Sequence, residues 1–332
     1  MKTLRVGITY NVKKNIQRDV PDAEAEFDDM ETIKAIEKAL ETANFDTELF
    51  EADENLPLQL LKNRPDIVFN VAEGMAGRSR EAQVPAILNF LGIPFTGSDE
   101  TTMCIAMDKA LCKRLAASYS VKTPDYCLIR SGSSFPDEIP LSFPVIVKPN
   151  SEGSSKGITI YSIAKDKDSL RRLLTEKINA YNQDMLLEEY IIGREFTVGI
   201  FGNGKDIKVF HPMEIIFNDT NHSIYSYDVK RNYKQFVQYK CPPDINPALM
   251  EEIENTAKAI YSFLECRDMA RIDFLLSAEG HLYFIEANPL PGLAPEYSDF
   301  PMLAAFCGMD HTALIRNILK CALVRYGLIH KV

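Results

Sequence analysis

The sequence predicts a mixed α/β and α+β protein, in which an N-terminal parallel-sheet domain is followed by a central and a C-terminal domain. Two observations favour this class. Strand and helix patterns alternate over residues 1–98, and an apolar hairpin pattern occupies residues 270–289. The 332 residues suffice for two or three domains. A hydrophobic fraction of 46% with 25% charged residues is typical of globular proteins.

The first segment alternates between strand and helix. Apolar runs predict strands at residues 4–9, 46–50 and 67–71, and helical spacing of apolar residues predicts helices at 23–43 and 56–62. This alternation favours a parallel sheet with crossover helices. We expect the first domain, a Rossmann-like substrate domain, to end at residue 98, after a turn-rich stretch.

The loop after the third predicted strand is a candidate substrate site. Sheets of this kind bind ligands at the carboxyl ends of their strands. Glu73, Arg78, Glu81 and Gln83 lie in this loop and are candidates for contacts with a small polar substrate. The alternative is a solvated loop that binds nothing.

The central domain is expected to span residues 99–187. Its predicted elements are a helix that carries Lys109, strands at 126–129 and 144–149, and a helix at 168–176. The second of these strands is apolar except for Lys148, which places a cation near its carboxyl end.

The loop at residues 150–157 is a candidate phosphate site. Its two glycines let the backbone approach a ligand closely, and Ser154 and Ser155 add hydroxyl groups to the backbone amides. It is not a Walker loop, because a strand at 158–161 is predicted to follow where a Walker loop has a helix. A plain hairpin connection is the alternative, and the nearby Lys148 favours phosphate binding.

The C-terminal domain is expected to span residues 188–332. A strand, a bend at Gly193 and a second strand are predicted over residues 185–200, and three carboxylates surround the bend: Glu188, Glu189 and Glu195. These carboxylates accept hydrogen bonds from a ribose or an amine, or they face water.

Residues 218–238 lack periodicity and contain Lys230 and Arg231. A loop of this length is typical of a lid. Helices are predicted at 253–264, 301–306 and 312–326.

Polar side chains interrupt the hairpin at four positions: Arg271, Asp273, Glu286 and Asn288. Because side chains alternate along a strand, each strand contributes its two polar residues to one face. If the turn centres on Ala278 and Glu279, Arg271 lies opposite Glu286 and all four share a face; a turn one residue longer separates the two pairs. Converging carboxylate and amide oxygens favour a Mg²⁺ site, and a solvated edge hairpin is the alternative.

Composition excludes several classes of partner. A net charge of −10, from 37 basic and 47 acidic residues, argues against binding to nucleic acid or to an anionic membrane. No apolar run approaches the roughly 18 residues of a membrane span, and the N-terminus lacks a signal-peptide core, so we expect a cytoplasmic protein. Seven cysteines without C-x-x-C spacing indicate reduced thiols.

Together these motifs resemble the ATP-grasp fold and, within it, the D-alanine–D-alanine ligase family. The resemblance covers most of the chain from about Asn70 onward. Its motifs are Ala106-Met-Asp-Lys109, Lys148-Pro-x-x-Glu-Gly-Ser-Ser-x-Gly157, Glu188-Glu189 with Gly193-Arg-Glu195, Tyr225-x-Tyr-x-x-Lys230, Arg271-x-Asp273, and Glu286-x-Asn288 with Pro291-Gly292. Their number and order favour the metal site over a solvated hairpin.

The resemblance implies that ATP binds between the central and C-terminal domains. The implied ATP contacts are Lys109, Lys148, Glu152, Ser154, Ser155, Glu188, Glu189, Ile191, Glu195 and Lys230. Two Mg²⁺ ions, with Mn²⁺ as the alternative ion, are implied at Asp273, Glu286 and Asn288. The implied catalytic groups are Arg271 and the backbone amide of Gly292 at an oxyanion, with Ser154 and Lys230 closing over the reacting groups.

The reaction implied by the resemblance is an ATP-dependent carboxylate–amine ligation. ATP converts a carboxylate to an acyl phosphate, and an amine then displaces phosphate to form an amide. The chain departs from the family where amino acids bind. The N-terminal Gly-Gly-x-Ser-x-Glu is replaced by Gly7-Ile-Thr-Tyr-Asn-Val12, and the tyrosine after the lid lysine is Arg231. Ser298 remains a candidate contact for a substrate carboxylate.

We therefore expect a retained reaction with altered amino-acid specificity, and Glu73, Arg78 and Glu81 as replacement substrate contacts. One alternative is a genuine D-alanine–D-alanine ligase with a variant pocket. Another is a non-catalytic nucleotide-binding regulatory protein. The complete set of predicted metal-site residues argues against this alternative. The expected partners are small amino-acid or amine substrates, and the resemblance implies a homodimer.

Overall fold

The computed structural model describes residues 4–14, 24–136, 138–153, 156–157, 159, 162–218 and 237–329. Three sheets organise these residues. The predicted lid at 218–238 and the predicted strand at 158–161 lie almost wholly outside them, as do Ser154, Ser155, Lys230 and Arg231. No helix in the described ranges is long and apolar enough to cross a membrane.

The N-terminal sheet is parallel, as predicted, with strand order β2-β1-β3. Its strands are β1 (Arg5–Tyr10), β2 (Asp46–Glu51) and β3 (Ile67–Asn70). Its helices are α1 (Met30–Glu41), α2 (Leu56–Lys62) and α3 (Gln83–Leu91).

The predicted start of α1 at residue 23 is wrong. Asp28 forms a β-bridge with Val12, and its N–H donates to the carbonyl oxygen of Asn11 at 3.2 Å. Asp29 is also extended, with φ −85° and ψ 151°, so the helix begins at Met30. The bridge brings residues 24–28 beside the end of β1.

The predicted helix around Lys109 is two helices, α4 (Glu100–Met107) and α5 (Lys109–Ser118). Asp108 separates them with φ −87° and ψ 95°, and its carboxylate accepts a hydrogen bond from the Leu111 N–H at 2.9 Å. An aspartate that caps a helix in this way favours extended backbone at its own position. Lys109 therefore stands at the start of α5.

The central sheet is antiparallel with order β4-β7-β5-β6. Its strands are β4 (Tyr126–Ile129), β5 (Val145–Pro149), β6 (Ile163–Ala164) and β7 (Met185–Glu189). The helix α6 (Lys167–Tyr181) buries Leu170 and Leu174 against it. Because β7 continues past residue 187 while paired to β4 and β5, we propose that the domain boundary follows Glu189.

The C-terminal sheet has order β11-β10-β8-β12-β13, with β9 beside β8. Its strands are β8 (Gly193–Phe201), β9 (Lys208–Val209), β10 (Met213–Phe217), β11 (Val237–Lys240), β12 (Met269–Ser277) and β13 (Leu282–Asn288). The helix α7 (Pro247–Phe263) covers one face and shares a core with Phe196 and Ile272. The other face looks towards the central sheet across a cleft.

The last two helices, α8 (Asp299–Phe306) and α9 (His311–Arg325), belong to the same core as the first strand. Ile8 of β1 and Leu319 of α9 are both fully buried in this core. Arg325 also donates to the carbonyl oxygen of Phe95 at 2.8 Å and lies 2.6 Å from the carboxylate of Asp268, which is fully buried. The two ends of the described chain therefore fold as one unit.

Candidate active site

The hairpin of β12 and β13 places its four polar residues on one face. Arg271 pairs with Asn288, and Asp273 pairs with Glu286. The shared face was predicted, but the predicted pairing of Arg271 with Glu286 is wrong. The turn is one residue longer than expected, since the Ser277 N–H donates to the carbonyl oxygen of His281 at 2.9 Å.

A β-bulge at Ile285 corrects the effect of the longer turn. Phe274 pairs with Phe284 on the turn side, whereas Asp273 pairs with Glu286 beyond it, so Ile285 is the extra residue. Without the bulge, Glu286 would follow the alternation into the core beneath α7. The bulge therefore brings Glu286 to the same face as Asp273.

Asp273 is held by donors from three strands. Arg271 contacts it through Nε at 3.0 Å and Nη2 at 2.9 Å, Asn288 Nδ2 donates at 3.1 Å, and Thr197 Oγ1 of β8 donates at 2.6 Å. Burial opposes the charge of Arg271, but Asp273, the nearby Asp299 and Glu286 outweigh it and raise the pKa of the guanidinium. The arginine is therefore a permanent cation fixed against Asp273.

Glu286 is paired with Lys109, whose Nζ lies 2.7 Å from its Oε2. Burial disfavours the ammonium, but the attraction of Glu286 prevails and raises the pKa of Lys109. The start of α5 thus reaches the polar face of the hairpin.

The oxygen donors of the hairpin fit a hard divalent cation. Asp273 and Glu286 offer carboxylates and Asn288 an amide oxygen on one face. No group of three or more His, Cys, Asp or Glu with metal-binding geometry occurs in the described part of the chain. Two carboxylates and an amide suit Mg²⁺, which keeps several waters and takes phosphate oxygens, better than an all-protein cage.

A cleft between the central and C-terminal sheets adjoins this face. The central sheet contributes Ile146 and Lys148, and the C-terminal sheet contributes Phe274, Ile285 and others. Seven predicted site residues line the cleft together: Lys148, Glu188, Glu189, Ile191, Glu195, Asp273 and Glu286. Apolar walls with a few charged groups are typical of a small-molecule site.

Gly193 sets the bend between β7 and β8 at the mouth of this cleft. A Cβ atom at this position would lie 2.1 Å from the carbonyl oxygen of Leu276. Only glycine permits so close an approach of β8 to Leu276 of β12.

Glu188 lies at the back of the cleft between two lysines. Its side chain is 2% exposed, its Oε2 accepts a hydrogen bond from Lys148 Nζ at 2.7 Å, and its Oε1 lies 2.9 Å from Lys113 Nζ. Burial alone would raise the pKa of Glu188, but the two ammonium groups outweigh it and lower the pKa to about 2. Glu188 is therefore ionised and engaged with cations.

The candidate phosphate loop is fixed by charged neighbours. Glu152 contacts Lys156 at 2.8 Å, Arg80 at 3.1 Å and Gln183 at 2.7 Å. Glu26 accepts a hydrogen bond from the Gly153 N–H at 2.5 Å and pairs with Arg80. The loop is thus tied to the N-terminal sheet through Glu26 and Arg80.

The predicted substrate residues of the β3 loop occupy different environments. Arg78 is largely exposed and pairs with Asp108. Glu73 and Glu81 lie near Glu26 and Asp28 beside Arg80. Burial and the neighbouring carboxylates raise the pKa of Glu73, and burial raises the pKa of Asp28 to about 7. This group of acidic residues borders the small pocket that Glu81 shares with Lys109, Glu286 and Asn288.

Gly292 and Ser298 meet in the segment that leaves the hairpin. A Cβ atom at Gly292 would lie 2.8 Å from Ser298 Oγ, which accepts a hydrogen bond from the Ala294 N–H at 3.2 Å. The two predicted residues are therefore neighbours.

Comparison with known proteins identifies the family. The family profile described as "D-ala D-ala ligase C-terminus" matches residues 120–320. A D-alanine–D-alanine ligase from Aquifex aeolicus is 33% identical over 290 residues, which cover 87% of this chain and 94% of that protein. The chain belongs to the D-alanine–D-alanine ligase family. An uncharacterized protein from Sinorhizobium fredii is 32% identical over 299 residues, 87% of this chain and 86% of its own length.

The fold agrees with that of the ligase family. A crystal structure of D-alanine–D-alanine ligase from Bacillus anthracis complexed with ATP superposes with a TM-score of 0.78, at 23% identity, over 98% of this chain and 100% of that one. The predicted ATP-grasp architecture and the predicted family are confirmed. Members of the family are ATP-dependent ligases that form carbon–nitrogen bonds.

Several residues of this ligase-family site escaped the sequence analysis. They are Glu26, Arg80, Lys113, Thr197 and Asp299. Lys113 had one signal, its spacing of four residues from Lys109 on a helix. Thr197 lies opposite Asp273 in β8, a pairing that becomes visible only once the sheet order is known.

Proposed function

We propose that this protein uses ATP to activate the carboxylate of one substrate and joins it to the amine of a second, through an acyl phosphate. The observation that carries the proposal is the pairing of Asp273 with Glu286 beside Arg271, at the edge of a cleft lined by Lys148 from the opposite sheet. Cations and carboxylates on both sides of a cleft suit a reaction in which negative charge develops.

The cations of the cleft and of the adjoining hairpin face support the binding of phosphate groups. Lys109, Lys148 and Arg271 are each paired with a carboxylate: Glu286, Glu188 and Asp273 respectively. A triphosphate offers these cations new partners and repels the carboxylates. We propose that Lys148 and Lys109 bind phosphates, while Glu189, Ile191 and Glu195 line the position of the base and ribose.

Asp273, Glu286 and Asn288 are proposed to hold Mg²⁺, or Mn²⁺, with two ions as the family resemblance implies. When bound, the metal would supply positive charge that neutralises the phosphates. Arg271 and the Gly292 N–H are proposed to stabilise the oxyanion that forms when the amine attacks. Ser298, next to Gly292, is proposed to contact a substrate carboxylate. The roles of Glu152 at the nucleotide and of Ser154, Ser155, Lys230 and Arg231 stay predictions.

The carboxylates of the β3 loop support a site for a substrate amine at residues other than those of the family's N-terminal motif, and the proposed altered specificity rests on this difference. Glu73 and Glu81, with Glu26 and Asp28, outnumber Arg80, which is already engaged by Glu26 and Glu152. A substrate ammonium group would compensate this excess negative charge. We propose that Glu73 and Glu81 hold the amine of the first substrate and that Arg78, paired with Asp108, borders the entrance.

A genuine D-alanine–D-alanine ligase is the second candidate. The 33% identity over 87% of the chain with a ligase of that name favours it. The paired metal and cation residues are required by either candidate, so only the substrate separates them.

The deciding experiment measures ADP release with Mg²⁺ and ATP across pairs of D- and L-amino acids, with the products identified by mass spectrometry. We expect kcat/KM to be highest for a pair other than D-alanine with D-alanine. Robust turnover with D-alanine alone would identify the second candidate. If no pair gives ADP release and the protein still binds an ATP analogue, the protein is a non-catalytic nucleotide-binding protein.

Sedimentation of the same sample checks the predicted homodimer.

A further inference from the structure

Lys113 is a buried lysine to which the proposed reaction assigns no role. It lies on α5 one turn after Lys109, and its side chain is 1% exposed. Lysine is almost never this buried unless it is paired. Its partner is Glu188, whose Oε1 lies 2.9 Å from Lys113 Nζ.

Glu188 separates Lys113 from the cleft. Its second oxygen accepts from Lys148 Nζ at 2.7 Å, and both Glu188 and Lys148 line the cleft, whereas Lys113 does not. The order from the interior to the ligand space is therefore Lys113, Glu188, Lys148.

The contact between Lys113 and Glu188 is ionic. Neither Lys113 Nζ nor Glu188 Oε1 has a hydrogen-bond partner of suitable geometry in the described structure, although the two atoms are 2.9 Å apart. Charges attract strongly where water is excluded, and a buried ammonium without a counter-charge is strongly unfavourable. Lys113 is therefore kept in the interior by Glu188.

The three groups carry an excess of one positive charge, because two ammonium groups share one carboxylate. If Glu188 had only Lys148 as its partner, the two charges would cancel and the cleft would lose its attraction for an anion. With Lys113 behind it, Glu188 is already neutralised, and the charge of Lys148 stays available.

We propose that Lys113 is a positioning residue of the nucleotide site, which neutralises Glu188 so that Lys148 can engage a phosphate group. The inference rests on the proposed function, since it takes a nucleoside phosphate as the ligand of the cleft. Lys113 acts through Glu188 and does not touch the ligand.

The test compares the binding of ADP and of a non-hydrolysable ATP analogue, measured by titration calorimetry, in the full-length protein and its variants. Lys113→Met removes the charge and keeps the length of the side chain, so the dissociation constant should rise about tenfold, the size of one lost charge contact at a partly wet site. Arg114→Met removes an exposed charge from the next position of the same helix and should leave binding unchanged.

The double variant Lys113→Met with Glu188→Gln separates charge from packing. It removes one cation and one anion, restores the excess of one positive charge, and should recover most of the lost affinity. A role in packing alone predicts that the double variant binds no better than Lys113→Met, and that result would overturn the proposal. If Lys113→Met does not fold, the double variant, which removes the fully buried pair of Lys113 and Glu188 together, must still bind ADP, and loss of that binding would overturn the proposal.

Failure of this inference differs from failure of the proposed function. If the wild type binds neither nucleotide, the proposed function fails. If the wild type binds and Lys113→Met binds equally well, only the role of Lys113 fails. In a turnover assay Lys113→Met should raise the KM for ATP and leave the KM for the amino acids unchanged.

Discussion

Asp273 and Glu286 face each other across β12 and β13 even though the turn between the strands has the length that would separate them. The extra residue at Ile285 shifts the register by one and returns Glu286 to the side of Asp273. The proposed metal site thus depends on a local irregularity of one strand. Bulges commonly re-aim a side chain next to a functional site in this way.

Substitution of Glu286 by Gln tests the proposed metal site. Removal of the charge should lower the rate of phosphate release by about 10² or more, because a metal ligand is lost where negative charge develops. Binding of an ATP analogue should persist. The control is Glu254→Gln on α7, a partly exposed carboxylate near His211. A Glu286→Gln variant with the wild-type rate would contradict the assignment.

Substitution of Arg271 by Lys tests the forked contact with Asp273. Lysine keeps the charge but cannot reproduce the two contacts at 3.0 and 2.9 Å. We expect kcat to fall by about 10² with little change in the KM for ATP. Arg267→Lys, which alters a more exposed pair with Asp99, serves as the control. Equal rates for the two variants would show that the fork is dispensable.

Glu81 should make the stability of the protein depend on pH. Burial and the carboxylate of Glu26 raise its pKa from 4.5 to about 7. The folded protein then binds more protons than the unfolded chain between these values, so the free energy of unfolding falls as pH rises through this window. Glu81→Gln should weaken this dependence and be more stable than the wild type above pH 7, by about 1–3 kcal/mol.

Urea denaturation on both sides of this window measures the effect of Glu81. Glu54→Gln, at an exposed position, is the matched control. A slope of stability against pH that is the same in Glu81→Gln and in the wild type would contradict the assignment.

Asp268 should stabilise the contact between the two ends of the chain. It is fully buried and accepts hydrogen bonds from Arg325 at 2.6 Å and from the Gly97 N–H at 2.9 Å. Asp268→Asn leaves the largely buried guanidinium of Arg325 without its counter-charge, so we expect a loss of about 3–5 kcal/mol in the free energy of unfolding. Asp99→Asn, whose partner Arg267 is more exposed, should cost less than about 1 kcal/mol. Equal losses of unfolding free energy in Asp268→Asn and Asp99→Asn would contradict the role of Asp268 in holding the two ends of the chain together.

The sequence predicted the face of the hairpin correctly but not its register. Alternation of Arg271, Asp273, Glu286 and Asn288 shows which residues of each strand share a side. The turn and the bulge are local choices of the backbone, and Ile285 looks like any apolar strand residue. The two deviations compensate each other, so the predicted convergence survived an incorrect pairing.

Other parts of the site could not be predicted because they depend on contacts between distant segments. Glu26 lies in a stretch whose apolar spacing suggested a helix, whereas the chain forms a turn at residues 24–26 and then a bridge from Asp28 to Val12. Lys113 has the sequence environment of a solvated helical lysine. Its burial follows from the position of Glu188 in another sheet, which a pattern within α5 does not contain.

The shared core of β1 and α9 has a consequence for synthesis on the ribosome. Ile8 is translated about 310 residues before Leu319, which helps to bury the same core. Chains grow at about 5–20 residues per second, so the apolar side of the first strand stays uncovered for many seconds. A nascent chain of this protein is thus a natural client for chaperones until α9 is released.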